Sequence, residues 1–232
     1  MSKLIRLLPI SFFLVVLVSC LDMNTDREYL ADAYVTSKVI NGDTLFSIEA
    51  YVEASAPMSK VTMRFPSGQD VELVKITTGY FEYVAPESTF SPTIPNEAEY
   101  SFSILFEDSE VITASDLVTK KVLLPMNIKK LEEAVETSTI SLDWAKDENA
   151  NYYSIKIFKK NTIIYSSGLI SFEYTGTKID SYEKGWALHQ NPEEGDTVMV
   201  VVSGLLKEEG NPQYLEFQSI SNSDGKIIVW PK

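Results

Sequence analysis

The chain has 232 residues, of which 20 are lysine or arginine and 33 are aspartate or glutamate, giving a formal charge of −13. Such a surplus of acid removes the positive face that phosphate binding needs, and nucleic acid is excluded as a partner class. One histidine, His189, and one cysteine, Cys20, are too few for a zinc site of several His or Cys ligands or for an imidazole-based hydrolytic triad. In chain order the first element is a short basic head, Lys3 and Arg6. An apolar stretch over residues 7–18 follows, interrupted by Pro9 and Ser11, and runs into Leu17-Val18-Ser19-Cys20. Its 12 residues are too few for a membrane-spanning helix, which needs about 20 to cross roughly 30 Å of hydrocarbon. Basic head, apolar stretch and small-residue exit together read as an export signal.

The same residues, with the cysteine immediately after Leu17-Val18-Ser19, resemble the signal peptide of a bacterial lipoprotein. That resemblance implies cleavage before Cys20 and lipidation of its sulfur, with 1–19 as signal peptide and 20–29 as a lipidated tether. At about 0.8 kcal/mol per buried CH₂, the two or three acyl chains of such a terminus hold a protein at a membrane without any spanning segment. Asp22 and Asp26 make the tether similar to those of Bacteroidota lipoproteins. The implied location is the outer membrane, with the surface-exposed and periplasm-facing orientations both open. Loss of Lys3 and Arg6 with the leader takes the formal charge to −15. A lipid-linked Cys20 leaves no thiol for a disulfide, so the mature chain must be held by apolar cores.

From Leu30 onward the apolar period is two, the signature of half-buried strands. Phe46, Ile48, Ala50 and Val52 fall on one face, opposite Ser47, Glu49, Tyr51 and Glu53. Val61, Met63 and Phe65 repeat the alternation up to the Pro66-Ser67-Gly68 turn. Further strands are expected at Val71 and Leu73, at Phe81 and Tyr83, at Tyr100, Phe102, Ile104 and Phe106, and at Val122 and Leu124. Short strands at this density predict two packed antiparallel sheets over residues 30–125. This half resembles an immunoglobulin-like or transthyretin-like sandwich, with Tyr100 near a tyrosine-corner strand.

The pattern restarts after Leu123-Leu124-Pro125-Met126-Asn127. Residues 126–137 have helical propensity in Leu131, Ala134 and Glu132, but their place at the start of a domain predicts an irregular edge strand. Strands follow at Ile140, Leu142 and Trp144, at Tyr153, Ile155 and Ile157, and, after a Lys159-Lys160-Asn161-Thr162 turn, at Ile163 and Tyr165. Phe172 with Tyr174, then Val198, Val200 and Val202, then Leu215 with Phe217, and last Ile227 with Val229 complete the series. Trp144 ending the second strand and Tyr153-Ser154-Ile155-Lys156-Ile157 as the third resemble a fibronectin type III domain over 126–232. The family's tyrosine before the sixth strand is absent, Val198 standing in its place. The fold class is therefore all-β, two consecutive antiparallel β-sandwich domains behind a lipoprotein leader.

Chemistry is sparse. Glu132-Glu133, Glu193-Glu194 and Glu208-Glu209 are adjacent pairs, and neighbours in a strand point to opposite faces, so they read as solvated edges and not as hydrolytic dyads. Asp147, Asn149 and Asn151 have the two-residue spacing of a Ca²⁺ loop, but Tyr152 and Phe158 replace its glycine and closing glutamate. The reading is a surface loop, with no catalytic residue, metal or cofactor. Aromatics offer the only binding signal: Tyr51 and Tyr152 stand out of phase with the inward stripes, and Trp186 sits in the long insert with Tyr182 and His189. These three, Tyr51, Tyr152 and Trp186, are the candidate ligand or partner contacts. The expected function is a non-enzymatic, membrane-anchored binding, adhesion or assembly module of the cell envelope, with an envelope protein or a glycan as partner. Its alternatives are a glycan-binding accessory protein of a polysaccharide-uptake system and an anchor or subunit of a surface filament.

Overall fold

The structure is a computed structural model that describes residues 27–134, 138–187, 190–209 and 216–231. Cys20, His189, Val135 and Leu215 lie outside the described residues. In the N-terminal half, β1 (Tyr29–Ile40) and β2 (Asp43–Ala54) form a hairpin paired from Tyr29↔Ala54 to Ile40↔Asp43. Its two-residue turn, Asn41-Gly42, has both φ angles positive (53° and 90°), as the twist of a tight hairpin demands. β3 (Met58–Arg64), β4 (Asp70–Glu72), β5 (Val74–Thr77), β6 (Tyr80–Tyr83), β7 (Ala98–Phe106) and β8 (Val111–Val118) follow. The order β1-β2-β6-β5 makes one layer and β4-β3-β7-β8 the other. Between them Val35, Ile48, Ala50 and Val52 meet Val61, Met63, Phe102 and Ile104, all buried.

The C-terminal half comprises β9 (Ile128–Ala134), β10 (Thr139–Trp144), β11 (Tyr152–Lys159), β12 (Thr162–Ser166), β13 (Ile170–Ser171), β14 (Gly176–Asp180), β15 (Thr197–Lys207), β16 (Phe217–Asn222) and β17 (Lys226–Val229). A three-stranded layer, β14-β10-β9, faces a layer built on β12-β11-β15, with β17 paired to β15. The expected stripes meet in this second core: Ile140, Leu142 and Trp144 against Tyr153, Ile155, Ile157, Val198, Val200 and Val202. Trp144 packs edge-on to Tyr153, ring centroids 5.5 Å apart. Burial of such side chains supplies most of the stabilisation, on the order of 25 cal/mol per Å² of apolar surface.

The two halves are not strung like beads. β1 pairs in parallel with β16 through Val35↔Ser219, Thr36↔Ile220 and Ser37↔Ser221, so one continuous ten-stranded sheet, β12-β11-β15-β16-β1-β2-β6-β5 with β13 and β17 alongside, runs through both. The linker crosses this seam and is bonded on both sides. Ser37 Oγ donates to Leu123 O at 2.8 Å, and Leu123 N donates to Ser219 Oγ at 3.1 Å. Ser219 Oγ in turn donates to Val35 O at 3.0 Å. Leu123 itself is fully buried and belongs to the second core.

Three sequence expectations fail. Phe172 and Tyr174 are exposed and outside any strand, since β13 ends at Ser171 and β14 begins at Gly176. Val122 and Leu124 belong to the irregular linker, Leu124 being 62% exposed. Ile163 points outward because a bulge between Ile157 and Phe158 shifts the β11–β12 register and turns Ile164 inward. The segment 126–137 forms the expected edge strand in its Ile128–Ala134 portion.

Because the Leu123 side chain fills the second core while its backbone is bonded to β1 and β16, Leu123→Ala should cost about 3 kcal/mol, roughly 6–12 °C in Tm for a chain of this size. Calorimetry should show one transition that moves as a whole; two separated transitions, only one of them displaced, would refute the coupling.

Candidate functional site

The residues picked out by their phase are placed separately. Trp186 is not a free platform. Residues 185–187 line the edge of β12, with Ser166 N donating to Gly185 O at 3.0 Å and Ala187 N to Ile164 O at 2.8 Å. The Trp186 ring is half-buried between Tyr165 and Trp230, centroids 4.8 and 5.3 Å away, and its Nε1 donates to Asp180 O at 2.8 Å. It closes the open end of the second core. Tyr152 is half-buried on β11 between β13 and β15. Tyr51 does stand on the sheet face opposite the core stripe of β2, stacked on Tyr80 at 5.9 Å and tilted against Tyr34 at 6.3 Å. No ring contact joins any two of Tyr51, Tyr152 and Trp186 among the described residues. The Asp147 loop is held by its own bonds: Asn149 N donates to Asp147 Oδ1 at 2.9 Å and Lys207 N to Asn151 Oδ1 at 2.7 Å.

What Tyr51 leads to is a site that sequence inspection missed. Directly across the β1–β2 ladder from it stands Asp32, a fully buried carboxylate. The Tyr51 hydroxyl lies beside that carboxyl and contributes a polar contact to it. Phe217 N, at the start of β16, donates to Asp32 Oδ2 at 2.8 Å. Asp116 reaches in from β8 and accepts from Ala33 N at 2.8 Å. Glu208, just past the end of β15, completes the group. One carboxylate oxygen from each of Asp32, Asp116 and Glu208 lies within 4.8 Å of the other two. The cluster thus gathers one residue from each layer of the N-terminal sandwich and one from the C-terminal half.

Its electrostatics are one-sided. Burial holds the Asp32 carboxyl well above the usual carboxylate range, against the Phe217 N–H, and the charges of Asp116 and Glu208 push it further. Burial likewise raises Asp116, whose bonds from the Ala33 and Leu117 amides pull the other way. Glu208 is pushed up to about 7 by burial first and by Asp116 and Glu216 second. The adjacent Glu209 is different in kind: it is exposed, and it pairs with Lys121 at 2.6 Å. The pair Glu208-Glu209 is therefore a solvated edge in only one of its members. Asp32, Asp116 and Glu208 are the carboxylates whose oxygens come close enough to hold one cation, and burial raises the pKa of all three.

A folded-state pKa raised above the unfolded value means that the folded chain binds more protons, so stability falls as pH rises. In metal-free buffer, Tm should decline from about pH 5 to pH 7 as Glu208 is forced to ionise beside Asp32, Asp116 and Glu216. Glu208→Gln should flatten that decline, and an unchanged slope in the variant would disprove the assignment.

No protein-family model matches the chain, and no curated protein does. Among solved structures it is similar to a two-domain fibronectin type III segment from chicken tenascin, with 12% identity, 79% of this chain and 92% of that chain covered, and a TM-score of 0.28. It is also similar to the FN1–FN3 domains of chicken CNTN1 (15% identity, 88% of this chain and 65% of that chain, TM-score 0.32) and to murine CEACAM1b (9%, 87% and 99%, TM-score 0.22). All three are weak superpositions, and the all-β sandwich class stands on the strand pairing of the chain itself.

Proposed function

We propose that this chain is a non-enzymatic lipoprotein of the cell envelope, anchored through Cys20, whose two fused sandwiches serve as a binding or assembly module. The observation that carries the reading is where the anchor meets the fold. Six residues lie between Cys20 and Arg27, and the seven steps from one to the other reach at most about 25 Å. Arg27 is then fixed: it pairs with Asp108 and, at 2.9 Å, with Glu110, and its guanidinium lies 4.5 Å from the centre of the Phe106 ring. The chain passes at once into β1, the strand that both halves share. A short anchor leading into that strand presents the whole two-sandwich body close to a membrane. The end holding the β7–β8 turn faces the bilayer in this reading.

Partner class is the open choice within it. One feature favours a glycan. A groove of about 430 Å³ in the C-terminal half is lined by Tyr165, Tyr174, Ser167, Thr177, Glu183 and Lys184. Tyr174 is 61% exposed there, a ring face beside polar groups, as sugar recognition requires. Strand addition in a filament is less favoured by the edges. β4 is three residues long, β5 carries Lys75 and a bulge, and β9 carries Lys129 and Lys130. β8 has eight residues without lysine or proline, but its Asp116 turns inward and binds β1.

Detergent phase partitioning should place the wild-type protein with the membranes and Cys20→Ala in the aqueous phase. Membrane retention of the variant would sink the anchor assignment. For the glycan reading, affinity electrophoresis in gels containing soluble polysaccharides should show retardation that Tyr174→Ala abolishes; equal mobility of both proteins in every gel would remove it.

A further inference from the structure

The three carboxylates where the two halves meet combine two features that acidic surface clusters lack. Asp32 is fully buried, and its Oδ1 has no hydrogen-bond partner at ordinary distance among the described residues. Glu208 Oε1 is a second buried oxygen in the same condition. Buried acceptors are normally satisfied, and an unsatisfied carboxylate oxygen is more costly than a neutral one. Once ionised, two such oxygens in one cluster call for a positive species beside them. Among the described residues, the charges acting most strongly on Asp32 and on Glu208 are those of other acids.

We propose that Asp32, Asp116 and Glu208 form a site for a hard divalent cation, calcium in preference to magnesium, that ties β1, β8 and the end of β15 together. Geometry supports a single ion. At about 2.4 Å from each oxygen, two opposed ligands of one Ca²⁺ stand about 4.8 Å apart, and the three oxygens lie within 4.8 Å of one another. An all-carboxylate donor set selects hard cations over zinc or copper. The carboxylates arrive from three separate segments of chain. Such a shell suits calcium, which tolerates uneven coordination, and not magnesium, which demands near-ideal octahedral ligands. The Phe217 and Ala33 amides, bonded to Asp32 Oδ2 and Asp116 Oδ2, act as outer supports that fix the two carboxylates. Glu208 is only half-buried, which gives the ion a way in and room for water ligands. This inference is independent of the membrane anchor and of any glycan.

The test uses the full mature chain, stripped with chelator and returned to metal-free buffer. Calorimetric titration with CaCl₂ should give one ion per chain, with Tm rising as calcium is added. Tb³⁺ should bind competitively and luminesce on excitation of tyrosine, since Tyr51 adjoins Asp32. Glu208→Gln should weaken calcium binding about tenfold or more, while Glu209→Gln on the neighbouring exposed residue should leave it unchanged. Asp32→Asn should abolish the terbium signal; if that variant does not fold by circular dichroism, the Glu208→Gln and Glu209→Gln comparison decides. Absence of both binding heat and Tm shift at millimolar calcium would overturn the site. So would equal weakening by the two glutamate variants, which would mark a diffuse surface effect. Magnesium binding as tightly as calcium would overturn the stated preference.

Discussion

Three residues of parallel pairing, Val35 to Ser37 against Ser219 to Ser221, hold this molecule together as one body. Parallel strands buried on both faces are ordinarily runs of valine, isoleucine and leucine. Here the seam is made largely of hydroxyls, with Thr36, Ser37, Ser219, Ser221 and Ser223 all buried. For Ser37 and Ser219 the reason is the linker that crosses it. A chain passing over a sheet brings its own amides and carbonyls, and small hydroxylated side chains can bond them without holding it away. Ser219 does both tasks at once, accepting from the Leu123 amide and donating to the Val35 carbonyl. The crowding is visible at Gly204 on β15, where a Cβ would stand 2.8 Å from Met126 Sδ and 3.0 Å from Ser221 Oγ. Glycine there is a packing requirement, since its backbone is not in the left-handed region.

The same crossing explains how three acids come to be enclosed. β16 begins at Phe217, whose amide needs an acceptor, and Asp32 on β1 supplies it. Asp116 does the same for the Ala33 amide, on the stretch of β1 before β16 joins. Each carboxylate is thus explained locally by an amide at the start of the seam. Their accumulation is not so explained: satisfying two strand ends with two aspartates places their remaining oxygens together, and Glu208 adds a third. Acidic groups are concentrated where the halves join, so the junction responds to whatever neutralises them.

How much of this was legible follows from which residues do the work. Alternation revealed β2, β3, β7, β10, β11 and the Val198–Val202 part of β15, because each buries apolar side chains on one face. Trp144 and Tyr153 marked the second core for the same reason. β1 showed little of this signal and β16 only its Phe217, since most of their other buried positions hold Asp32, Thr36, Ser37, Gln218, Ser219 and Ser221, which read as polar. β8 was missed because its inward face is Ile112, Ala114 and Asp116. The cluster was illegible in principle: its members lie far apart in the chain, and the test applied to Glu208-Glu209 asked about adjacency. Phe172 and Tyr174 gave the opposite error, an apparent strand in an exposed connection. Trp186 was rightly noticed as unusual, but the unusual feature is that an insert supplies a side chain to the core.

The pairing of β1 with β16 also orders events in time. β1 waits for a strand made much later, and the bond from Ser219 Oγ to Val35 O spans 184 positions. Contacts of such long range close late and slowly. Until they do, β1 has β2 on one side and an open row of amides and carbonyls on the other, where a stray strand could pair. The N-terminal sandwich can assemble its own core early, yet it remains unfinished along that edge until residues 217–222 arrive. A chain lacking those few residues loses more than one strand: the first half keeps an unsealed side, and the linker loses the hydroxyl that receives its amide. β16 thus acts as the closure of β1.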